Sequence, residues 1–448
     1  MIDKSTIQRI MDAADIVEVI SEYVQLRKAG SAYKGKCPFH DDTTPSFIVT
    51  PSRGTYKCFA CGEGGDVVTF LMKHNGWSYP ESLKWLANKY GIIIEEDKPK
   101  RNSKEDAMYN LNNWAVGFFE GNLSSDLGKA GKEYLLGRGF TEDTIKEFRL
   151  GYALPDRSAL SIAAVKQGFY RTTLQSVGLS YKGTDTNLVF DRFTGRVMFP
   201  WINAAGRVVA FGGRKLDAET KGVEQKYINT SDTPIFSKSN ELYGIYQAKN
   251  TMRKDNHVYI VEGYTDVISL HQAGVKNVVS CSGTALSTVQ AHLLKRYCSN
   301  VTLMFDGDAA GLKAASRNIE PLLAEGMNVK VIVLSNDEDP DTLAKNKTTE
   351  ELRFYLAMNT IDFLDFYTTY IINKETDVPS RATSITTLLN IITSIPDEIS
   401  RSLYQSACKE RFALPTGSPA TAHDLAALSA RIEKLEVEIE ELKKMIEK

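Results

Sequence analysis

The chain has 448 residues, of which 42% are hydrophobic and 25% charged. This composition is ordinary for a folded multidomain protein and excludes a collagen-like chain, a disulfide scaffold and a wholly disordered chain. The 54 basic and 56 acidic residues give a net charge of −2, so a nucleic-acid surface would have to be a local patch.

Few cysteines for this length favour a reducing compartment, and we expect a soluble cytoplasmic protein. The chain has no apolar run of the roughly 20 residues that a membrane span needs. Its amino terminus lacks the pattern of a signal peptide.

The first predicted domain covers residues 1–95. It begins with apolar residues at helical spacing, from Ile7 to Ile20, and continues into short strands and tight turns. A charged stretch without periodicity, residues 96–107, predicts a linker.

This domain contains two pairs of metal-binding side chains. Cys37 and His40 form one pair, and Cys58 and Cys61 form the other, each with two residues between its members. The spacing predicts a closed tetrahedral Zn²⁺ site with a structural role. Basic and aromatic residues alternate nearby, which suits a face for single-stranded nucleic acid, although core rings under a solvated surface give the same pattern. They are Arg27, Lys28, Tyr33, Lys34, Lys36, Phe47, Arg53, Tyr56, Lys57 and Phe59.

Residues 108–250 form the next predicted domain. The pattern is helical to about residue 148, and residues 185–245 favour strands, with a turn at 204–206 between two of them. Arg214 closes one strand, and residues 225–229 (QKYIN) follow it. These basic groups either hold a triphosphate or a nucleic-acid backbone or are ordinary surface charges.

In residues 251–345 the apolar runs HVYIVEG, KNVVSCSG, VTLMFDGD and VKVIVLS alternate with helical stretches. This alternation predicts a parallel sheet covered on both faces. Acidic residues follow three of the strands, and the carboxyl ends of parallel strands meet at one edge. Each acid alone fits a turn or helix cap. Together they predict a site for Mg²⁺ or Mn²⁺ and two-metal phosphoryl transfer. The five are Glu262, Asp306, Asp308, Asp339 and Asp341.

The remaining chain is predicted as a helical region, residues 346–412, a linker, 413–424, and a coiled coil, 425–448. Leu and Ile alternate at spacings of three and four in the last segment, which favours a parallel two-stranded coil.

Together these motifs resemble the bacterial DnaG-type DNA primases. CPFH and CFAC resemble the family's zinc-binding domain, and Phe211–Arg214 with Lys226–Asn229 resemble its basic subdomain. EGYTD from Glu262, FDGDAAG from Phe305 and DPD from Asp339 resemble its TOPRIM core. The resemblance covers residues 1 to about 412, with the motifs in family order.

The resemblance implies an α+β and α/β multidomain fold: an N-terminal zinc ribbon, a central mixed α/β domain with a TOPRIM parallel sheet, and a helical end, with the coiled coil added. It implies that the five acids hold the catalytic metals, with Asp266 nearby, and that Glu262 helps to activate the attacking hydroxyl. It also assigns template, primer or nucleotide contacts to Arg138, Arg214, Lys226, Tyr227 and Asn229.

Two departures from the family pattern stand out. Thr265 replaces a frequent Met, a change expected to be mild. From Ala413 a linker and a short coil stand where the family usually has a helicase-docking domain, so ordinary recruitment of the replicative helicase is not expected. The coil either forms a dimer or binds a partner, or it is an engineered fusion.

The sequence therefore predicts a DNA primase, a nucleotidyltransferase that makes short RNA primers on single-stranded DNA from NTPs, with structural Zn²⁺ and catalytic Mg²⁺ or Mn²⁺. Two alternatives stay open. One is a TOPRIM nuclease, which would use water as its nucleophile. The other is a non-catalytic DNA-binding assembly factor that dimerises through its coil.

Overall fold

The structure is a computed structural model. It describes residues 2, 4–42, 44–92, 94, 103–183, 189–216, 225–283, 285–335 and 338–414. The chain divides into two compact units, Met1–Ser103 and Lys104–Lys448, and each is described by itself. The predicted coiled coil at 425–448 and most of the linker before it lie outside the described residues.

The first unit is a zinc-ribbon-like sheet packed against four helices. The helices are α1 (Lys4–Ala13), α2 (Ile16–Ser21), α3 (Val67–Asn75) and α4 (Tyr79–Lys89). The strands are β1 (Arg27–Ala29), β2 (Ala32–Gly35), β3 (Phe47–Thr50), β4 (Thr55–Cys58) and β5 (Gly64–Gly65). They pair antiparallel in sequence order.

The expected single amino-terminal helix is two helices. Asp15 accepts hydrogen bonds from the backbone N–H groups of Val17 (2.8 Å) and Glu18 (3.1 Å), so it caps α2 and ends the first helix before it. Apolar spacing alone does not show this break, because both helices bury the same kind of face.

The second unit begins with helices and an antiparallel sheet. The helices are α5 (Ser103–Ser124), α6 (Lys129–Gly137), α7 (Glu142–Glu147), α8 (Ala159–Lys166) and α9 (Arg171–Ser176). The strands are β6 (Gly151–Ala153), β7 (Ser180–Lys182), β8 (Val189–Asp191), β9 (Arg196–Ile202), β10 (Val208–Lys215) and β11 (Tyr227–Asn229). The main sheet has the order β11-β10-β9-β6, and β7 pairs with β8. Helix α5 begins inside the stretch 96–107 that was predicted as linker.

A five-stranded sheet follows. Its strands are β12 (His257–Val261), β13 (Val278–Ser280), β14 (Asn300–Phe305), β15 (Asn328–Val333) and β16 (Thr360–Asp362). The helices of this region are α10 (Ile245–Asp255), α11 (Tyr264–Gln272), α12 (Thr288–Lys295), α13 (Ala309–Ala324), α14 (Pro340–Lys345) and α15 (Thr349–Met358). The order is β13-β12-β14-β15-β16, and all pairs are parallel except that of β15 with β16.

This sheet is buried on both faces, as predicted. Leu303 and Val331 pack into one hydrophobic core, and their neighbours Met304 and Ile332 pack into the other. Both side-chain directions of a strand are therefore apolar, which explains the near-continuous apolar runs of the sequence.

The helical end contains α16 (Phe363–Phe366), α17 (Val378–Thr393) and α18 (Glu398–Arg411). The expectation that 346–412 is all helical misses β16, whose three residues are too few to show strand periodicity. Within the described residues no helix is both long and apolar enough to cross a membrane.

Candidate functional site

Four candidate zinc ligands meet in the first unit. The ligand atoms of Cys37, His40, Cys58 and Cys61 all lie within 4.8 Å of one another. The Sγ atoms of Cys37 and Cys61 are 3.8 Å apart, roughly the edge of a tetrahedron built from Zn–S bonds of about 2.3 Å. The two pairs meet because Cys37 follows β2 and Cys58 ends β4, on either side of β3.

The surroundings of the ligands fit a zinc ion. The Nδ1 atom of His40 is buried and has no hydrogen-bond partner among the described residues. Burial opposes ionisation of Cys58, but hydrogen bonds, including those from the backbone N–H groups of Cys61 and Ala60, outweigh it and lower the pKa of that thiol. Asp42 supports the loop by accepting hydrogen bonds from the Cys37 N–H at 2.8 Å and the Ser46 hydroxyl at 2.7 Å.

The aromatic residues near this site do not form one face. Phe47 and Tyr56 are buried in the core, where their rings stack with centroids 5.1 Å apart. Phe59, between the two ligands of the second pair, is 73% exposed. For Phe47 and Tyr56 the alternative of core rings applies, because β-strand alternation turns both inward.

The basic residues do form an exposed row across the sheet. Arg27 pairs in register with Lys34, Lys34 with Ile48, and Ile48 with Lys57. Residues directly opposite in a sheet share a face, and all three cations are exposed. The row gives this unit a local positive stripe although the whole chain is slightly acidic.

In the second unit, acidic residues follow three neighbouring parallel strands. Glu262 follows β12, Asp306 follows β14, and Asp339 lies at the start of the helix after β15. Asp308 caps α13 by accepting from the Gly311 N–H at 2.7 Å. Asp339 caps α14 in the same way, from the Thr342 N–H at 2.6 Å.

The glycines beside these acids are required by close backbone approach. A Cβ at Gly307 would stand 2.0 Å from the Ser335 carbonyl oxygen, and one at Gly311 would stand 2.1 Å from that of Asp306. Side chains cannot be accommodated at such distances. The two glycines therefore bring the start of α13 directly against the strand end that carries Asp306.

The acids repel one another electrostatically. Burial raises the pKa of Glu262, and the negative charges of Asp306 and Asp308 raise it further. Burial also raises the pKa of Asp306, as do the charges of Asp339 and Asp308. In the described part of the chain, none of these four carboxylates forms an ion pair with a basic side chain.

The acids are more widely spaced than the zinc ligands. Among the described residues, the Cys/His set is the one group of three or more Cys, His, Asp or Glu side chains with all ligand atoms within 4.8 Å. The carboxylates therefore form an open acidic edge, which contains Glu262, Asp306, Asp308 and Asp339.

Asp341 differs from these four because it is already paired. Its carboxylate accepts from Arg138 Nη2 at 2.6 Å, from Lys345 Nζ at 2.7 Å and from the Ser269 hydroxyl. Burial alone would raise its pKa, but the hydrogen bonds from Lys345 and Ser269 and the charge of Arg138 lower it.

Asp266 is also buried, but among the described residues it forms no ion pair with a basic side chain. It accepts from the Gly263 N–H at 2.8 Å. Burial raises its pKa to about 7, with contributions from the charges of Asp306, Asp341 and Asp339.

The predicted basic residues gather around a tyrosine that sequence reasoning did not single out. The hydroxyl of Tyr134 accepts from Arg138 Nη1 and from Arg214 Nε, both at 3.2 Å. The Arg214 guanidinium also stands 5.2 Å from the ring centroid of Tyr227. Since Arg138 pairs with Asp341, this basic cluster borders the acidic edge.

Lys226 is exposed, and a buried arginine holds the backbone beside it. Arg196 donates from Nη1 to the carbonyls of Gly213 (3.1 Å) and Lys226 (3.3 Å), and from Nη2 to that of Gln225 (3.1 Å). Arg196 is only 3% exposed. It carries no local signal in the sequence, because its role depends on the pairing of β9 with β10.

The side chain of Asn229 is partly buried and hydrogen-bonded. Its side-chain oxygen accepts from the hydroxyl of Tyr264, which in turn accepts from Trp201 Nε1 at 3.1 Å. A Cβ at Gly212 would stand 2.6 Å from the Tyr264 ring. Asn229 and Gly212 thus seat Tyr264 and join the antiparallel sheet to the loop after Glu262.

Three families match successive parts of the chain. Residues 2–102 match the CHC2 zinc finger, 118–249 the N-terminal domain of the DNA primase catalytic core, and 259–344 a Toprim-like domain. The zinc-finger match falls in the first unit, and the other two matches fall in the second.

Two curated relatives are DNA primases. That of Clostridium acetobutylicum is 40% identical over 371 residues, which cover 82% of this chain and 60% of the relative. That of Pseudomonas aeruginosa is 35% identical, covering 82% of this chain and 56% of the relative. The chain therefore spans about 60% of the length of the first of these relatives.

Solved structures match along nearly their whole lengths. The crystal structure of the zinc-binding and RNA polymerase domains of the Aquifex aeolicus primase is 32% identical, with a TM-score of 0.61. The match covers 92% of this chain and 97% of that one. A DNA primase domain from Pseudomonas aeruginosa is 30% identical, with a TM-score of 0.62. The match covers 72% of this chain and 99% of that one. A DnaG primase catalytic domain bound to ssDNA is 28% identical, with a TM-score of 0.61; the match covers 69% of this chain and 97% of that one.

Proposed function

The chain belongs to the DnaG family of bacterial DNA primases, and on that basis we propose that it synthesises short RNA primers on single-stranded DNA from NTPs. The observation that carries this proposal is the open acidic edge beside a basic cluster. Carboxylates that are unpaired and repel one another, three of them partly buried, need cations, and in a phosphoryl-transfer enzyme divalent ions supply that charge.

Glu262, Asp306, Asp308 and Asp339 are the residues that would hold these ions. Hard carboxylate oxygens without His or Cys favour Mg²⁺ or Mn²⁺. When bound, such ions neutralise the acids and the phosphates of the nucleotide. Asp341 was predicted as a fifth ligand, but its contacts with Arg138 and Lys345 favour a supporting role that anchors the basic cluster to the edge.

The chemical step joins two nucleotides. The 3′-oxygen of the primer end forms a bond to the α-phosphorus of the incoming NTP, and the bond from that phosphorus to the pyrophosphate oxygen breaks. Glu262 would accept the proton of the attacking hydroxyl, and its raised pKa, which makes it a stronger base than an exposed glutamate, supports this role.

The basic cluster would orient the phosphates. Arg214 is held by Tyr134 and Tyr227, and Lys226 is exposed on a strand end that Arg196 fixes. Cations held in this way lose little freedom on binding an anion, which favours affinity. Arg138 would act chiefly through its pairing with Asp341.

The zinc-bearing unit would hold the template. The exposed row of Arg27, Lys34 and Lys57 suits the phosphates of a single strand, and Phe59 offers a ring on which a base can stack. We expect this contact to weaken with salt, because it depends on a local stripe of charge.

The heptads at 425–448 would bring two copies of the chain together through their Leu and Ile residues. Sedimentation equilibrium of the full chain and of a variant with Leu435→Asp tests this proposal. A dimer that becomes a monomer in the variant supports it, and a monomer in both contradicts it.

Labelled-NTP incorporation on single-stranded DNA with Mg²⁺ or Mn²⁺ tests the main proposal. We expect short RNA products from the wild type and from Asp143→Asn, an exposed carboxylate on α7, and none from Asp306→Asn. No product from the wild type, with DNA binding intact, would favour a non-catalytic assembly factor. Degraded template would favour a nuclease.

A further inference from the structure

A second charged site lies at the opposite edge of the parallel sheet. A cleft of about 980 Å³ opens where the parallel strands begin, and His257, Asn300 and Asn328, the first residues of β12, β14 and β15, lie on its floor. The acidic edge lies at the other ends of these strands. Strands of five to six residues separate the two edges by roughly 17–20 Å.

The rim of this cleft is strongly cationic. Four basic side chains line it against a single acid, Asp255. None of the four forms an ion pair with a carboxylate among the described residues, and all are exposed. In a chain with a net charge of −2, an unneutralised group of this kind attracts anions. The four are Lys254, Lys276, Lys330 and Arg353.

The floor is polar but electrically neutral. The two ring nitrogens of His257 are engaged by Asn277 Nδ2 at 3.2 Å and Thr302 Oγ1 at 2.8 Å. Burial lowers the pKa of this histidine to about 4, and the charge of Lys330 contributes. The charged groups that face it are Asp255 and Lys330. The positive charge of the cleft therefore belongs to the rim at neutral pH.

The cleft also has an apolar wall. Val275, Leu356 and Ala357 belong to its lining, together with the lysines, the arginine and several uncharged polar residues. A ligand that satisfies both the cationic and the apolar residues has several negative charges joined to a less polar group. The volume lies within the ~300–1,000 Å³ that small-molecule sites occupy.

We propose that this cleft binds a nucleoside polyphosphate, with the phosphates at the rim of Lys254, Lys276, Lys330 and Arg353 and the nucleoside against the apolar wall. The site is separate from the acidic edge and needs no divalent ion, because its charge is already positive. The same phosphates could come from a nucleic-acid backbone, and the test below separates the two sources.

The test measures binding of a fluorescent ADP analogue to the full chain by anisotropy, without added divalent ions, so that the repelling acids do not contribute. The variant is Lys276→Glu with Lys330→Glu, and the charge-matched control is Lys166→Glu with Lys374→Glu, two exposed lysines that do not line the cleft. We expect binding to weaken on the order of tenfold or more in the variant and to stay unchanged in the control.

A neutral double variant, Lys276→Gln with Lys330→Gln, is less disruptive to folding than the charge reversal. It should also weaken nucleotide binding, but by a smaller factor. A twelve-residue oligo-dT supplies the second arm. Equal nucleotide binding by variant and control, or no nucleotide binding by the wild type, would overturn the proposal. Loss of oligonucleotide binding alone would overturn it in favour of a nucleic-acid backbone.

Discussion

The two candidate metal-binding regions of this chain differ in how their ligand groups are arranged. The zinc ligands lie within 4.8 Å of one another and form a closed set, in which hydrogen bonds lower the pKa of the Cys58 thiol while burial raises that of Cys37. The acidic edge is open, and burial and the charges of neighbouring acids raise the pKa of Glu262 and of Asp306. The first region has the closed geometry of a structural metal site. The second, under the proposed function, would exchange metal and substrate.

The largest expected effect concerns the first region. Cys58→Ser should abolish zinc binding and unfold the Met1–Ser103 unit, since binding of structural zinc contributes about 10–16 kcal/mol in zinc-finger peptides. Zinc content and the tryptophan fluorescence of Trp77 and Trp85 measure the loss. Cys408→Ser, a buried cysteine of the other unit, should keep the zinc, and loss of zinc from this control would contradict the assignment.

The next effect distinguishes Asp341, which is paired with basic side chains, from the four carboxylates of the acidic edge. Asp341→Asn should destabilise the second unit by about 2–3 kcal/mol, because it leaves the charges of Arg138 and Lys345 without their partner. Urea unfolding followed by Trp201 fluorescence measures this change. Asp308→Asn is the comparison, since an amide still caps α13 and relieves repulsion. Equal destabilisation by the two variants would show that Asp341 is not distinct.

The pH dependence of stability should have opposite signs at two buried aspartates. Asp266 has a raised pKa of about 7, so its carboxylate opposes folding above the pKa of the unfolded chain, and its protonation stabilises the fold as the pH falls from 8 to 5. Asp341 has a lowered pKa, so its contribution is present above the unfolded pKa and is lost as the pH falls through the folded value.

Unfolding of Asp266→Asn between pH 5 and 8 checks the first sign. The variant should be more stable than the wild type at pH 8, by on the order of 1–2 kcal/mol, and the difference should shrink toward pH 5. Addition of Mg²⁺ should reduce the difference at pH 8, since a cation offsets the same repulsion. A difference independent of pH would contradict the raised pKa.

The last expected effect concerns the zinc-bearing unit and changes binding rather than stability. Phe59→Ala should leave its stability unchanged, because the ring is 73% exposed, and should weaken binding of single-stranded DNA by about 1–3 kcal/mol if the ring stacks on a base. Fluorescence anisotropy with an oligonucleotide measures the loss. Phe354→Ala, an equally exposed ring of the other unit, is the matched control and should bind as the wild type does.

Much of the fold follows from local pattern. The zinc ligands could be predicted because each pair lies in one turn, and the four parallel strands because their near-continuous apolar runs alternate with helical stretches. The hairpin of β9 and β10 also lies where strand patterns and the turn at 204–206 place it. For Phe47 and Tyr56 the sequence left a binding face and core rings open, since spacing shows which residues alternate but not which face is covered.

The sequence by itself therefore determined which residues are candidates for the chemistry and the order in which they stand along the chain. Only the tertiary structure decided which of them are already partnered. Asp341 and Arg138 are 203 residues apart. Similarly, the contacts made by Tyr134, Arg196 and Ser269 join segments that are distant in sequence, and no local sequence pattern predicts them. The reason is physical: side-chain type and strand ends are properties of a segment, whereas the pairing of a charge depends on which other segment packs against it.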